Sequence, residues 1–173
     1  MTGDPLGTDQ PDGRWSQMSD GSTDMTTENA TRAPVPKPVS RKMGIKQEMR
    51  AFVVNAPGSA VDAIDLPSLE IAVRLNGDFD YIHVFAMTQA EMDELLPRLK
   101  SHLKPTGMLW VSWPKGKQMG TELSLPNVIR IGYNHGLVES TCLSVDATWS
   151  ALKFTHPKPG KTYNNSYGKL PAK

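Results

Sequence analysis

Four short segments of the sequence that follow predicted strands contain the side chains best suited to chemistry. They offer an amide, two hydroxyls, two indoles, two lysines and a carboxylate. The second lysine is Lys117, and the candidate residues are Asn55, Ser59, Thr88, Trp113, Lys115, Asp146 and Trp149. In open α/β sheets, ligands bind beyond the carboxyl ends of the parallel strands. If the four segments meet at that edge, these seven residues, called the candidate ligand edge, form a cleft for a small anionic ligand.

Each of these residues also has an ordinary structural interpretation. Thr88 and Asp146 are typical capping residues of helices and turns. Trp113 and Trp149 can pack over the end of the sheet, and Lys115 can extend into solvent. The structural interpretation is the favoured one, and the ligand edge is the competing hypothesis.

The sequence shows no other grouping that is typical of catalysis or metal binding. His83 lies between Ile82 and Val84, so we predict a core histidine with one bonded ring nitrogen rather than a catalytic base. Cys142 is the only cysteine, which excludes an internal disulfide, and we predict that it is a small buried residue. There is no Ser-His-Asp grouping and no phosphate-binding loop. We therefore predict no catalytic residue, no metal ligand and no cofactor.

Composition limits the class of protein. The 173 residues allow one domain with tails, and a net charge of +1 is too small for a nucleic-acid-binding surface. No apolar run approaches the roughly 18 residues of a membrane span. The first residues have neither a basic start nor an apolar run, which argues against a secretory signal. We expect a cytoplasmic protein.

Both ends differ from the middle of the chain. Residues 1–42 have few large aliphatic side chains, are acidic in their first part and end in the proline-rich stretch 33–38, so we predict a disordered tail. Residues 156–173 contain four lysines and no acid, which predicts a basic, flexible tail. The predicted domain is therefore 43–155.

Apolar runs and turn residues predict the order of elements within this domain. The predicted strands are 51–55, 69–73, 81–87, 108–113, 137–145 and 149–155. The loop 146–148 is short enough only for a hairpin, so the last two strands are predicted to be antiparallel.

Helices are predicted between these strands. Thr88 and Glu91 have the spacing of a capping box and begin an amphipathic helix, which Pro97 should kink or divide. Ser124 and Gly136 mark the ends of another helix. The result is a Rossmann-like α/β fold, with a mostly parallel sheet of about six strands, a C-terminal antiparallel hairpin and helices on both faces.

Two stretches resemble S-adenosylmethionine-dependent methyltransferases of the Rossmann-like type. They are the turn and strand 103–110 and the closing hairpin 136–154. The whole block 44–154 further resembles a bacterial family designated domain of unknown function 3052, through Asn55-Ala56-Pro57, Leu96-Pro97-Arg98-Leu99, Leu109 to Lys115 and Thr148-Trp149-Ser150. The resemblance implies a truncated methyltransferase-like fold and no particular activity.

The residues that such a methyltransferase needs for its cofactor are largely missing. The loop after the first strand, 55–60, has one glycine and a proline where the backbone should approach the cofactor closely. The second strand is followed by Arg74 and Asn76 instead of an acidic residue for the ribose. We therefore favour a non-catalytic binding or regulatory module, with a protein partner or a small anionic ligand. The alternative is a divergent transferase that uses the same edge of the sheet.

Overall fold

The computed structural model describes residues 37–171. Most of the predicted N-terminal tail, 1–36, lies outside the described residues, as do residues 172–173. The strands are β1 (Arg50–Val54), β2 (Glu70–Ile71), β3 (Phe79–Phe85), β4 (Leu103–Pro114), β5 (Val138–Ser144) and β6 (Trp149–Thr155). The helices are α1 (Val39–Met43), α2 (Gly58–Ile64), α3 (Gln89–Lys100) and α4 (Leu125–Asn134). Residues Lys115–Gly120 form a chain of tight turns between β4 and α4.

The six strands form one sheet in the order β2-β1-β3-β4-β6-β5. The pairs β2–β1, β1–β3 and β3–β4 are parallel, whereas β4–β6 and β6–β5 are antiparallel. The predicted Rossmann-like fold with a C-terminal antiparallel hairpin is confirmed. Among the described residues, α3 is one continuous helix through Pro97, so the alternative of two separate helices is wrong.

One face of the sheet is covered by α3 and α4, and we call it the α3/α4 face. Apolar side chains alternate along the central strands, and Ile82, Val84, Leu109 and Val111 point to this face. The amphipathic helices supply the facing layer, with Met92, Leu96, Leu99, Val128 and Ile131 among the buried residues. The helix α3 begins at the predicted capping box, where Thr88 Oγ1 accepts from the Glu91 N–H at 3.1 Å.

The opposite face is covered by the short helices α1 and α2, and we call it the α1/α2 face. Its buried layer is smaller and has a higher proportion of aromatic side chains, which are Tyr81, Phe85, Trp110 and Trp149. Ser40 in α1 ties the start of the domain to the end of α2, since its hydroxyl donates to the Asp65 carbonyl at 2.8 Å. Because α1 begins at Val39, the domain starts before the predicted boundary at residue 43.

The domain also extends past the predicted boundary at residue 155. Tyr163 and Leu170 pack against the apolar core of the α3/α4 face. The Asn165 amide donates to Glu139 at 2.9 Å, and a Cβ at Gly168 would lie 2.9 Å from that of Tyr133. A flexible tail was predicted for 156–173. Up to residue 171 this segment instead packs on the sheet and α4, because its aromatic and aliphatic side chains can be buried there.

Strand β4 begins earlier than predicted. Leu103 pairs with Phe79 and Met108 with Tyr81, so the intervening Lys104–Gly107 segment bulges from the ladder instead of forming a turn before the strand. A Cβ at Gly107 would lie 2.8 Å from the Phe79 carbonyl oxygen. Glycine is therefore required where the two strands approach each other.

Candidate functional site

The four predicted segments follow the ends of strands that are neighbours in the sheet. Val54 pairs with Val84, Phe85 pairs with Ser112, and Pro114 pairs with Trp149. The Lys115 N–H donates to the Thr148 carbonyl at 2.7 Å, which joins the exit of β4 to the hairpin tip. The segments therefore lie along one edge of the sheet, although their side chains do not form a single cleft.

A pocket lies where β4 leaves the sheet, on the α3/α4 face beside the first turn of α4. We call it the exit pocket, and it has a volume of about 360 Å³. Its apolar lining comes from Trp113, Leu123 and Leu125, and its cationic lining from Lys115 and Lys117. Ser124, Cys142, Ser150 and Gly116 complete it. No described acidic residue lines the pocket.

The turns after β4 place the two lysines. Gly116, Lys117 and Met119 have positive φ angles of 54°, 63° and 57°. This left-handed conformation costs an L-residue roughly 1–2 kcal/mol. The Gln118 side chain holds the turns against the hairpin tip by donating to the Ala147 carbonyl at 3.2 Å.

The lysine ammonium groups have no described carboxylate partner. Lys115 Nζ donates to Ser144 Oγ, and the described ion pairs join Arg50–Glu70, Lys104–Asp80 and His135–Asp93. The two positive charges of the pocket are thus not neutralised by the described part of the domain.

Thr121 positions the rest of the pocket. Its hydroxyl donates to the Met87 carbonyl at 2.6 Å and accepts from the Leu123 N–H at 3.1 Å. These bonds tie the segment before α4 to the end of β3 and direct Leu123 into the core. Asn127 then caps α4, because its Oδ1 accepts from the Ser124 N–H at 2.8 Å.

Of the seven residues of the candidate ligand edge, only Trp113 and Lys115 line the exit pocket. Asp146 caps the hairpin tip, where its Oδ1 accepts from the N–H groups of Thr148 and Trp149 at 2.8 and 2.7 Å. Trp149 is buried on the opposite face against Phe85, with ring centroids 5.2 Å apart.

The other three residues lie further along the edge. Thr88 caps α3, Asn55 is exposed at the end of β1 with a φ of 58°, and Ser59 is exposed in the first turn of α2. Their capping and solvent contacts agree with the structural interpretation of these positions.

The sequence predictions missed most of the pocket. Leu123, Ser124, Leu125, Cys142 and Ser150 were not predicted as site residues, and Lys117 was predicted only as part of the segment that follows the strand. The prediction that Cys142 is buried is wrong: its side chain is exposed on β5 at the pocket, because β5 is the outer strand of the sheet. Partial burial still raises the pKa of the Cys142 thiol. The prediction for Cys142 relied on alternation in a strand, which does not tell which face is covered.

His83 takes part in a buried polar cluster. Its Nδ1 lies 2.6 Å from the Tyr81 hydroxyl and its Nε2 lies 2.7 Å from Ser112 Oγ. Both ring nitrogens are therefore partnered, where the sequence predicted one. Burial lowers the pKa of His83 from 6.5 to about 3 and raises that of Tyr81, so both side chains are neutral at physiological pH. The cluster is closed to solvent and is a feature of the core.

No group of three or more metal-ligating side chains is found in residues 37–171. In the same part of the chain, no helix has both the length and the apolar composition needed to cross a membrane.

Comparison with known proteins gives structural neighbours only. No family model and no curated protein matches the chain. Ribosomal protein L11 methylase from Lactobacillus delbrueckii subsp. bulgaricus is 12% identical over 69% of this chain and 76% of its own, with a TM-score of 0.49. A TehB-like SAM-dependent methyltransferase from Corynebacterium glutamicum is 12% identical over 69% and 87%, with a TM-score of 0.47.

A third similar structure, the glycopeptide N-methyltransferase MtfA, is 10% identical over 68% of this chain and 89% of its own, with a TM-score of 0.47. Each of the three neighbours is named as a methylase or a methyltransferase. Similarity at this level carries no argument about activity. The resemblance to the domain of unknown function 3052 family has no support from a family model.

Proposed function

We propose that the domain binds a small molecule with an apolar body and a negatively charged group in the exit pocket. The observation that carries this proposal is the presence of two lysines, without a described acidic residue, in a pocket of about 360 Å³. That volume is within the range of roughly 300–1,000 Å³ typical of ligand sites.

The electrostatics of the pocket favour an anion. Lys115 is placed by the sheet through its backbone bond to Thr148, whereas Lys117 is carried by the left-handed turn. The first turn of α4 adds the partial positive charge of a helix N-terminus, which is worth about 0.3–1 kcal/mol for an exposed anion. These contributions point in the same direction, since all of them stabilise negative charge at the same opening.

The walls of the pocket indicate the chemistry of the uncharged part of the ligand. Leu123 and the indole of Trp113 are buried, whereas Leu125 at the rim is 38% exposed. An apolar body in the pocket would therefore remove mainly the Leu125 side chain from water. A carboxylate or phosphate joined to a flat ring fits both requirements. A long polyanion does not, because the chain has a net charge of only +1.

The test is a calorimetric titration of the full chain with benzoate and with AMP as probes. We expect saturable binding of at least one probe that weakens tenfold or more in Lys115→Met and Lys117→Met. Lys46→Met is the matched control, because Lys46 is exposed in the loop before β1 and does not line the pocket. Absence of binding by both probes, or equal binding in all variants, would overturn the proposal.

Methyl transfer is the second candidate function. Its support is the confirmed topology, which keeps a carboxyl edge at β1 and β3 where this fold class binds ligands. Two features oppose it. The β2 strand has only two residues, and the loop after it is held by the Arg50 guanidinium, which donates to the Asn76 and Asp78 carbonyls at 2.8 and 3.0 Å.

Titration with S-adenosylmethionine separates the two functions. Under the main proposal the cofactor does not bind with micromolar affinity, whereas a transferase must bind it. Micromolar binding that Asn55→Ala weakens, with Lys115→Met unchanged, would establish a cofactor site at the β1 loop and favour the transferase.

Three narrower predictions from the sequence also remain proposals. We propose that the protein is cytoplasmic, that it belongs to the resembled family, and that its activity is binding or regulation rather than catalysis. Immunoblotting of cell fractions tests the first, and the titrations above test the third.

A further inference from the structure

The short strand β2 forms one edge of the sheet and presents apolar side chains to solvent. It is the end member of the strand order, with β1 as its only described neighbour. Ile71 is 53% exposed and Val73 is 93% exposed. Edge strands of monomeric proteins are usually protected by charge, proline or a covering element, so an apolar open edge indicates a binding surface.

The backbone of this edge is directed outward at alternate residues. The N–H groups of Glu70 and Ala72 donate to the carbonyls of Met49 and Ala51, each at 2.9 Å. The N–H and C=O groups of Ile71 therefore point away from β1, because neighbouring residues of a strand alternate in direction. If the strand is extended by two residues, the backbone N–H and C=O groups of Val73 also point away from β1.

The sequence around Ala72 is complementary to its own reverse: the apolar positions match and the charged positions have opposite sign. Residues 69–75 are Leu-Glu-Ile-Ala-Val-Arg-Leu. In an antiparallel pair of two copies centred on Ala72, Ile71 lies opposite Val73, and Glu70 lies opposite Arg74. Opposite residues share one face of a sheet, so this register joins apolar side chains on one face and opposite charges on the other.

Neighbouring registers lose this match. Centring on Ile71 places Arg74 opposite Ser68, and centring on Val73 places Glu70 opposite Asn76. The charges thus select the register centred on Ala72. Arg50 bonds Glu70 through Oε2 at 3.3 Å, which leaves the other carboxylate oxygen for a second arginine.

We propose that a second copy of this chain docks on the β2 edge, antiparallel and centred on Ala72, so that one sheet continues through both protomers. The chain bends at residues 73–74 in the structure, and the Asn76 N–H donates to the Arg74 carbonyl at 3.0 Å. Pairing straightens this bend and extends β2 to Arg74. The dimer uses the opposite end of the sheet from the exit pocket, so it is independent of the proposed ligand.

The first test is analytical ultracentrifugation of the full chain from micromolar to millimolar concentration. We expect a reversible dimer whose dissociation constant rises at least tenfold in Arg74→Glu, because like charges then face each other. The matched control is Arg98→Glu on the exposed side of α3, with an unchanged dissociation constant. A monomer throughout the range, or equal dimerisation of both variants, would overturn the proposal.

The second test reads the register. Ala72 faces its own copy in a non-hydrogen-bonded pair, with a Cα separation of about 4.5 Å that allows a disulfide. In a Cys142→Ser background, Ala72→Cys should form a disulfide-linked dimer under mild oxidation. Val73→Cys is more exposed but lies opposite Ile71, so it should form far less. Equal or greater crosslinking of Val73→Cys would indicate random collision and contradict the proposed pairing.

Discussion

The two faces of the sheet are covered by helices of different length and bury different sets of side chains. On the α3/α4 face, two helices of 12 and 10 residues supply aliphatic side chains to an apolar layer. On the α1/α2 face, two helices of five and seven residues leave the aromatic side chains of the strands to fill the space. The second face also buries the polar cluster of Tyr81, His83 and Ser112.

The difference indicates how each face is stabilised. Aliphatic packing on the α3/α4 face depends on volume and hardly on pH. The polar cluster on the α1/α2 face requires every hydrogen bond to be made, because a buried polar group without a partner costs about 1–3 kcal/mol. It also requires the His83 ring to remain neutral. Perturbations of the two faces should therefore differ in size and in pH dependence.

The largest effect is expected from a cavity in the α3/α4 face. Leu96 is fully buried between α3 and the sheet, so Leu96→Ala should lower the free energy of unfolding by about 2–5 kcal/mol. Urea denaturation followed by circular dichroism measures this loss. Leu95→Ala in the same helix is the matched control and should cost less, because Leu95 is only partly buried. Equal losses for the two variants would contradict the packing of α3.

A smaller, pH-dependent effect is expected on the α1/α2 face. Burial holds the pKa of His83 at about 3, against 6.5 in the unfolded chain. Above pH 6.5 the imidazole is neutral in both states, and the folded state keeps its full stability. As the pH falls from 6.5 towards 3, the unfolded state binds a proton that the folded state does not, so stability is lost. The loss between pH 7 and pH 5 should be about 2 kcal/mol.

Denaturation curves at pH 7 and pH 5 test this expectation. His83→Gln should lose about 2 kcal/mol less than the wild type over this interval. Leu96→Ala should keep the wild-type pH dependence, since it leaves the polar cluster intact. An equal acid-induced loss in His83→Gln and the wild type would show that another group is responsible.

The sequence predicted the fold well because the signals of its elements are local. The continuous apolar run of β3, the capping box at Thr88 and the short hairpin loop each depend on residues within one turn or strand, and the structure confirms these elements. The long β4 was predicted less well. Its bulge depends on the close approach of Gly107 to Phe79, a contact between residues far apart in sequence.

The candidate site was predicted only in part for the same reason. Strand ends indicate which edge of the sheet carries a site, and this located Trp113 and Lys115. The remaining lining residues come from a left-handed turn, the N-terminus of α4 and the outer strand β5, which meet only in the folded domain. The polar cluster could have been found from the spacing of Tyr81 and His83 on one face. Its third member required the register of β4.

The smallest effect on stability is expected from removal of the Thr88 hydroxyl. It distinguishes a capping role of Thr88 from a role at the candidate ligand edge. Its hydroxyl accepts from the Glu91 N–H, while Glu91 Oε1 accepts from the Thr88 N–H at 3.2 Å, so both bonds of the capping box are made. Thr88→Ala should lower the free energy of unfolding by about 1 kcal/mol, and Thr88→Ser should restore most of it. Thermal denaturation measures both changes.

In the same preparations, the affinity for benzoate or AMP should stay within twofold of the wild type, because Thr88 does not line the exit pocket. A large loss of affinity in Thr88→Ala with unchanged stability would instead return Thr88 to the ligand edge, and would extend the site from β4 to the end of β3.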